Sequence, residues 1–146
     1  SFGVDRNFYS ILNFAYFYNE KRQNIVLRLH PKLAPVKVAI FPIVKREDFE
    51  KISEEIFNDL KKEFNVVYDK SGSIGRRYAR NDEIGTLFCI TIDEDSLKNK
   101  NVTMRIRDSA EQVRIKIKDL RESLRKVINE GEDIFKMGKV VNTRKK

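Results

Sequence analysis

With 146 residues, 40% of them hydrophobic and 36% charged, and only six Gly and three Pro, the chain has room for one folded domain plus a short attachment; disordered, collagen-like and low-complexity readings are excluded. The net charge of +8 is uneven: residues 1–69 hold 11 basic and 10 acidic side chains, residues 70–146 hold 19 and 12. A basic C-terminal half fits an anionic partner, most simply nucleic acid, and fits an ordinary lysine-rich surface equally well.

The chain opens Ser1-Phe2-Gly3-Val4-Asp5-Arg6 without an initiator Met, the pattern of a fragment or a processed product. From Asp5 to Asn19 the run DRNFYSILNFAYFYN reads as one helix whose apolar residues cover its whole circumference. Such a helix is normally buried on all sides, so a second body is expected to cover what one domain of this size leaves bare. The longest uncharged stretch, Asn7 to Asn19, is too short and too rich in Tyr and Asn to cross a bilayer, and no secretory signal is present.

A linker through Lys21-Arg22-Gln23-Asn24 and a turn with Pro31 and Pro35 lead to Val36–Phe41, a short β-branched run that reads as a buried strand. Phe49, Ile52, Ile56, Phe57, Leu60 and Phe64 then fall at helical spacing behind an acidic first turn, and Asn65–Asp69 reads as a second strand. Strand, helix and strand in this order imply a right-handed parallel crossover. Ser73 is placed to cap a helix from Ile74 to Ile84 that Gly85 ends, and Leu87–Ile92 is a third buried strand. Two period-2 runs, Val102-Met104-Ile106 and Val113-Ile115-Ile117, predict a hairpin with one apolar face and one basic face carrying Arg105, Arg107, Arg114 and Lys116. A last helix is expected over Lys118–Asn129 with Gly131 as its stop, and residues 136–146, with five basic and no acidic groups, read as a mobile tail. The expected fold is α/β: a mixed five-stranded sheet surrounded by three helices and preceded by an apolar helix.

Lys70-Ser71-Gly72-Ser73 followed by Arg76, Arg77 and Arg80 puts backbone N–H groups and guanidiniums at a helix start, which suits a phosphate or base edge and equally suits a capped helix with a solvated face. The hairpin arginines with Asp93-Glu94-Asp95 could read unpaired bases, a carboxylate accepting from the amine of cytosine, or could pair with one another across the strands. His30 reads as a turn residue and Cys89 as a small buried hydrophobe; a lone Cys excludes an intrachain disulfide, fits a reducing cytoplasmic compartment and, with one His, leaves no zinc set. No nucleophile–base pair, paired-carboxylate site or metal cluster assembles from the spacing.

The stretches LAPVKVAIFPIV, FNVVYDKSGSIGRRYARNDEIGTLFCITID and VTMRIRDSAEQVRIKI closely resemble the C-terminal anticodon-binding domain of glycyl-tRNA synthetases, over about residues 1–130. The SGSIGRRYARNDEIGT block resembles the glycine enzyme within the wider group holding the threonyl, prolyl and histidyl enzymes, and Ser1–Arg6 resembles the end of motif 3 of a class II catalytic domain. The resemblance implies residues 1–30 as a catalytic-domain remnant, 31–131 as the anticodon-binding domain and 132–146 as a basic tail. It implies an ATP-binding role for Arg6 and a glycine-binding role for Ser1 in the intact enzyme, and anticodon contacts by Ser71, Arg76, Arg77, Glu94, Asp95 and Arg105. The implied partners are glycine tRNA and the catalytic domain of the same enzyme, a cytoplasmic homodimer using ATP with Mg2+, while the 146-residue chain alone is expected to be inactive and to need no cofactor. The alternative is a non-catalytic synthetase-like accessory or nucleic-acid-binding protein.

Overall fold

The computed structural model describes residues 3–141. Their order is α1 (Val4–Ala15), β1 (Tyr16–Asn19), β2 (Asn24–Leu27), β3 (Val38–Pro42), α2 (Glu47–Leu60), β4 (Val66–Tyr68), α3 (Ile74–Ile84), β5 (Phe88–Ile92), α4 (Glu94–Asn99), β6 (Asn101–Ile106), β7 (Gln112–Lys116), α5 (Leu120–Glu130) and β8 (Lys139–Val141). β3 to β8 form one mixed sheet in the order β4-β3-β5-β6-β7-β8, with β3 parallel to β4 and β5 and the remaining pairs antiparallel.

Period-2 alternation splits the central strands between two faces. Val38 and Ile40 of β3, with Phe88, Ile90 and Ile92 of β5 and Val102 and Met104 of β6, join the large core under α2 and α5. Ala39, Phe41 and Cys89 point the other way, against Ile74 and Tyr78 of α3. All five residues of β3 are buried, which is why its sequence is continuously apolar rather than alternating. α2 begins with Glu47, Asp48 and Glu50 in its first turn, where the helix dipole favours carboxylates. α3 has the anticipated boundaries: the Ser73 hydroxyl accepts the Arg76 N–H at 3.4 Å, and Gly85 ends the helix at φ +80°.

Four expectations are corrected. The first helix stops at Ala15; Tyr16–Asn19 turns into a strand paired antiparallel with Asn24–Leu27, where a linker was expected. The turn closes through the Arg22 N–H on Asn19 Oδ1 at 3.1 Å and a left-handed Gln23, and aromatic and β-branched residues on both strands suit the pairing. Among α1 residues only Ala15 is buried, while Phe8, Tyr9 and Phe14 are 62%, 67% and 94% exposed. The acidic segment after β5 forms the short helix α4, closed by a capping box between Asp93 and Ser96.

The sheet has six strands, not five, because the segment read as a mobile tail returns as β8 beside β7 up to Val141. Gly138 makes that return possible: a Cβ there would fall 2.4 Å from the Arg114 carbonyl oxygen. The rest of the tail, 142–146, lies outside the described residues. Finally, the basic face of the β6–β7 hairpin is not an open shelf, since Arg105 and Arg107 are buried.

Candidate nucleic-acid interface

The carboxyl ends of the three parallel strands β3, β4 and β5 lie side by side, and the connections that follow them form one edge of the molecule. β3 is central, leading through α2 to β4 on one side while β5 lies on the other, so the connection order reverses between β3 and β5. In open α/β sheets the crevice outside such a reversal is where ligands bind.

Each loop at this edge is braced from within. After β4, Asp69 Oδ1 accepts both the N–H and the hydroxyl of Ser71 at 2.9 Å, and its Oδ2 accepts from Arg80 Nη2 at 2.6 Å. Burial pushes the Asp69 carboxyl up, but the Ser71 N–H and the Arg80 guanidinium outweigh it and hold the group below its ordinary value. Arg77, buried on the inner side of α3, donates through Nη1 to the Pro42 carbonyl at 2.6 Å and through Nη2 to the Gly72 carbonyl at 2.9 Å, tying the loop after β4 to the end of β3. After β5, Asp93 Oδ1 accepts the Ser96 N–H at 3.1 Å and Oδ2 accepts from Arg114 Nη2 at 2.8 Å, which again overrides burial and keeps the carboxyl low.

Beneath α3 lies a charged hub. Asp82, 1% exposed at its side chain, takes a two-pronged contact from Arg105, Nη1 to Oδ1 at 2.9 Å and Nη2 to Oδ2 at 3.0 Å. It also accepts from Asn24 Nδ2 at 3.2 Å and Arg22 Nη1 at 3.4 Å. Arg22 further donates to the Arg107 carbonyl at 2.8 Å, and Arg107 donates to the carbonyls of Gly85 and Leu29 at 3.0 and 2.8 Å. The β1–β2 hairpin is thereby fastened to α3 and to the end of β6 by part-buried polar contacts. The Arg105 guanidinium lies 4.7 Å from the centroid of Tyr78, whose hydroxyl meets Thr91 Oγ1 at 2.6 Å. Cys89 lies under the same helix, and burial pushes its thiol up to about 12.

The residues singled out in the sequence therefore divide. Ser71 and Arg76 are exposed on the loop and first turn of α3, and among the described residues no carboxylate lies within ion-pair distance of Arg76. Glu94 and Asp95 are exposed beyond β5, paired with Arg46 and Arg114 respectively. Arg77 is at the same edge but buried, with its donors spent on the Pro42 and Gly72 carbonyls; Arg105, opposite Cys89 near the amino end of β5, lies toward the other end of the strands, buried under α3 with its donors spent on Asp82. Arg6 is exposed on α1, and Ser1 lies outside the described residues.

Sequence reasoning missed Arg46, exposed Ile43 and Val44 in the loop after β3, and Asp82. The signal for Asp82 was present: Ile74, Tyr78, Asn81 and Asp82 share the inward stripe of α3, and polar residues in such a stripe announce a buried network.

Lowered carboxyl values at Asp69 and Asp93 have a testable sign. Their contribution to stability is fully present above the unfolded value of about 4 and is lost as pH falls through the depressed native values. The stability gap between the parent chain and Asp93→Asn, read from urea midpoints, is expected to narrow from about pH 4 downward and to stay constant above pH 5.

Comparison with known proteins agrees with this architecture. The family model described as an anticodon binding domain matches residues 37–127. The glycine–tRNA ligase of Borrelia hermsii is 47% identical over 123 residues, covering 82% of this chain and 28% of that protein. Those of Thermococcus sibiricus and Caldanaerobacter subterraneus are 46% and 52% identical, covering 88% and 80% of this chain. The chain thus spans about a quarter of the length of these relatives. A solved prolyl-tRNA synthetase from Cryptosporidium parvum, complexed with halofuginone and AMPPNP, superposes with a TM-score of 0.67 at 27% identity over 77% of this chain and 24% of that one. With β3 through most of α5 inside the matched segment, the chain belongs to the anticodon binding domain family.

Proposed function

We propose that this chain is the anticodon-binding part of a glycine–tRNA ligase and grips the anticodon stem-loop of glycine tRNA, while a catalytic domain outside the chain joins glycine to the tRNA through an adenylate. The observation that carries this reading is the strand-end edge itself, where exposed Ser71 and Arg76 after β4 and exposed Glu94 and Asp95 after β5 stand on loops that are already braced. Donors for phosphates and carboxylates for exocyclic amines stand together there, the mixture that suits splayed-out bases of a single-stranded loop. Glycine anticodons carry cytosine at their second and third positions, which gives Glu94 and Asp95 an amine to accept from. Arg77 and Arg105 serve as positioning residues, the first holding the loop that carries Ser71, the second bracing α3 from below.

The parent is read as a cytoplasmic homodimer using ATP with Mg2+. This chain by itself does not fit a nucleotide site: Arg6 is a single exposed guanidinium on α1, and among the described residues no group of three His, Cys, Asp or Glu could hold a metal ion. No chemical step is therefore assigned to it. Among the described residues no helix is long and apolar enough to cross a membrane.

Binding of the glycine anticodon stem-loop, measured by fluorescence anisotropy, tests the reading. Arg76→Ala is expected to weaken it by about 1–3 kcal/mol, roughly 5- to 150-fold in Kd. Binding to duplex DNA as tight as to the stem-loop would favour the accessory-protein alternative.

A further inference from the structure

One side chain spans the reversal between β3 and β5. Arg46, the residue before α2, donates through Nη1 to Glu94 Oε1 at 2.5 Å, across from the loop after β3 to the first turn of α4. Its other edge is held by Asp48, with Nε on Oδ1 at 3.1 Å and Nη2 on Oδ2, and its guanidinium carbon stands 4.6 Å from the Phe49 ring centroid. Both partners are open to water, the Arg46 side chain 49% and the Glu94 side chain 58% exposed. The exposed Ile43, Val44 and Lys45 precede Arg46 in the same loop.

Two properties follow. An exposed ion pair contributes little net stability, so its members can change partners at little cost. A guanidinium fork matches the two oxygens of a phosphate as well as those of a carboxylate. The pair joins the loop after β3 to the first turn of α4, at the edge where the reading above puts the RNA loop.

We propose that Arg46 is a partner-exchanging contact residue: tied to Glu94 in the free protein, it swings its fork onto a backbone phosphate of the bound RNA loop and releases Glu94 to accept from the exocyclic amine of a base. Asp48 keeps Nε and the Phe49 ring keeps the guanidinium beside it throughout, so the exchange is a pivot of the two Nη groups about that anchor and not a loss of order. The proposal rests on the anticodon reading and adds to it a residue and a sequence of events.

The test is a salt series of stem-loop binding for the parent chain, Arg46→Ala, Arg46→Lys and Glu94→Gln. Loss of one phosphate contact is expected to lower the slope of log affinity against log salt by about 0.7 in Arg46→Ala. Arg46→Lys is expected to restore the slope but not the full affinity, since it supplies charge without the fork. Glu94→Gln is expected to keep the slope while accepting a stem-loop with uridine in place of cytosine, because an amide can donate to the uridine oxygen where a carboxylate cannot. An unchanged slope in Arg46→Ala, or tighter binding, overturns the exchange while leaving the anticodon reading standing. Absence of stem-loop binding by the parent chain overturns the anticodon reading itself.

Discussion

Asp82→Asn is expected to cost about 3–5 kcal/mol of folding stability, more than any change on the exposed edge, because it breaks a buried ion pair from one side only. The carboxylate it removes accepts from Arg105 twice and from Asn24 and Arg22 once each, and the side chains of Asp82 and Arg105 are 1% and 9% exposed. An amide keeps one acceptor oxygen and brings an NH2 that faces guanidinium donors, leaving Arg105 buried without a counter-charge. Removing both charges is gentler: Asp82→Leu combined with Arg105→Met is expected to recover a large part of the loss, since the desolvation of the two ions disappears with their attraction. Urea unfolding of the parent, the single and the double variant checks both statements, and a single-variant loss under about 1 kcal/mol would mean that water reaches the hub.

Gly85→Ala is expected to destabilise by about 2–4 kcal/mol, the second largest effect. Gly85 has φ +80°, and a Cβ added there would stand 2.8 Å from the Leu27 carbonyl oxygen and 3.2 Å from Leu29 Cδ1. The left-handed backbone alone disfavours alanine by about 1–2 kcal/mol. The remainder comes from pushing the strand β2 away from the end of α3. Gly131 provides the control, since it ends α5 at φ +72° with nothing within 4 Å of an added Cβ, so Gly131→Ala carries the backbone cost without the contact. Thermal unfolding of the two variants side by side separates the terms; equal losses would show that β2 yields freely.

The central β3–α2–β4–α3–β5 segment was legible because each element carries its own punctuation: Ser73 and Gly85 bound α3, an acidic turn opens α2, and β3 is apolar without interruption. The β1–β2 hairpin was not. Phe14-Ala15-Tyr16-Phe17-Tyr18 continues an all-round apolar pattern that a helix and a strand share, and the turn that decides the matter depends on Asn19 and a left-handed Gln23 with no glycine to announce it. β8 was hidden for a related reason, being three residues long and held by pairing with β7. At the site, spacing alone set Arg105 on the polar side of β6 correctly; whether that side meets water or another element is decided by α3, which crosses from β4 to β5 on the same side and brings Asp82 with it.

The fastening of the β1–β2 hairpin has a geometric consequence for whatever α1 touches. α1 runs straight into β1 at Tyr16, so the hub that seats the hairpin also aims the helix. A helix of 12 residues is a lever about 18 Å long, and a tilt of roughly 10° at its root would sweep its free end through about 3 Å. One carboxylate under α3 thus governs the heading of an aromatic arm whose tip lies well beyond the reach of that carboxylate's own contacts.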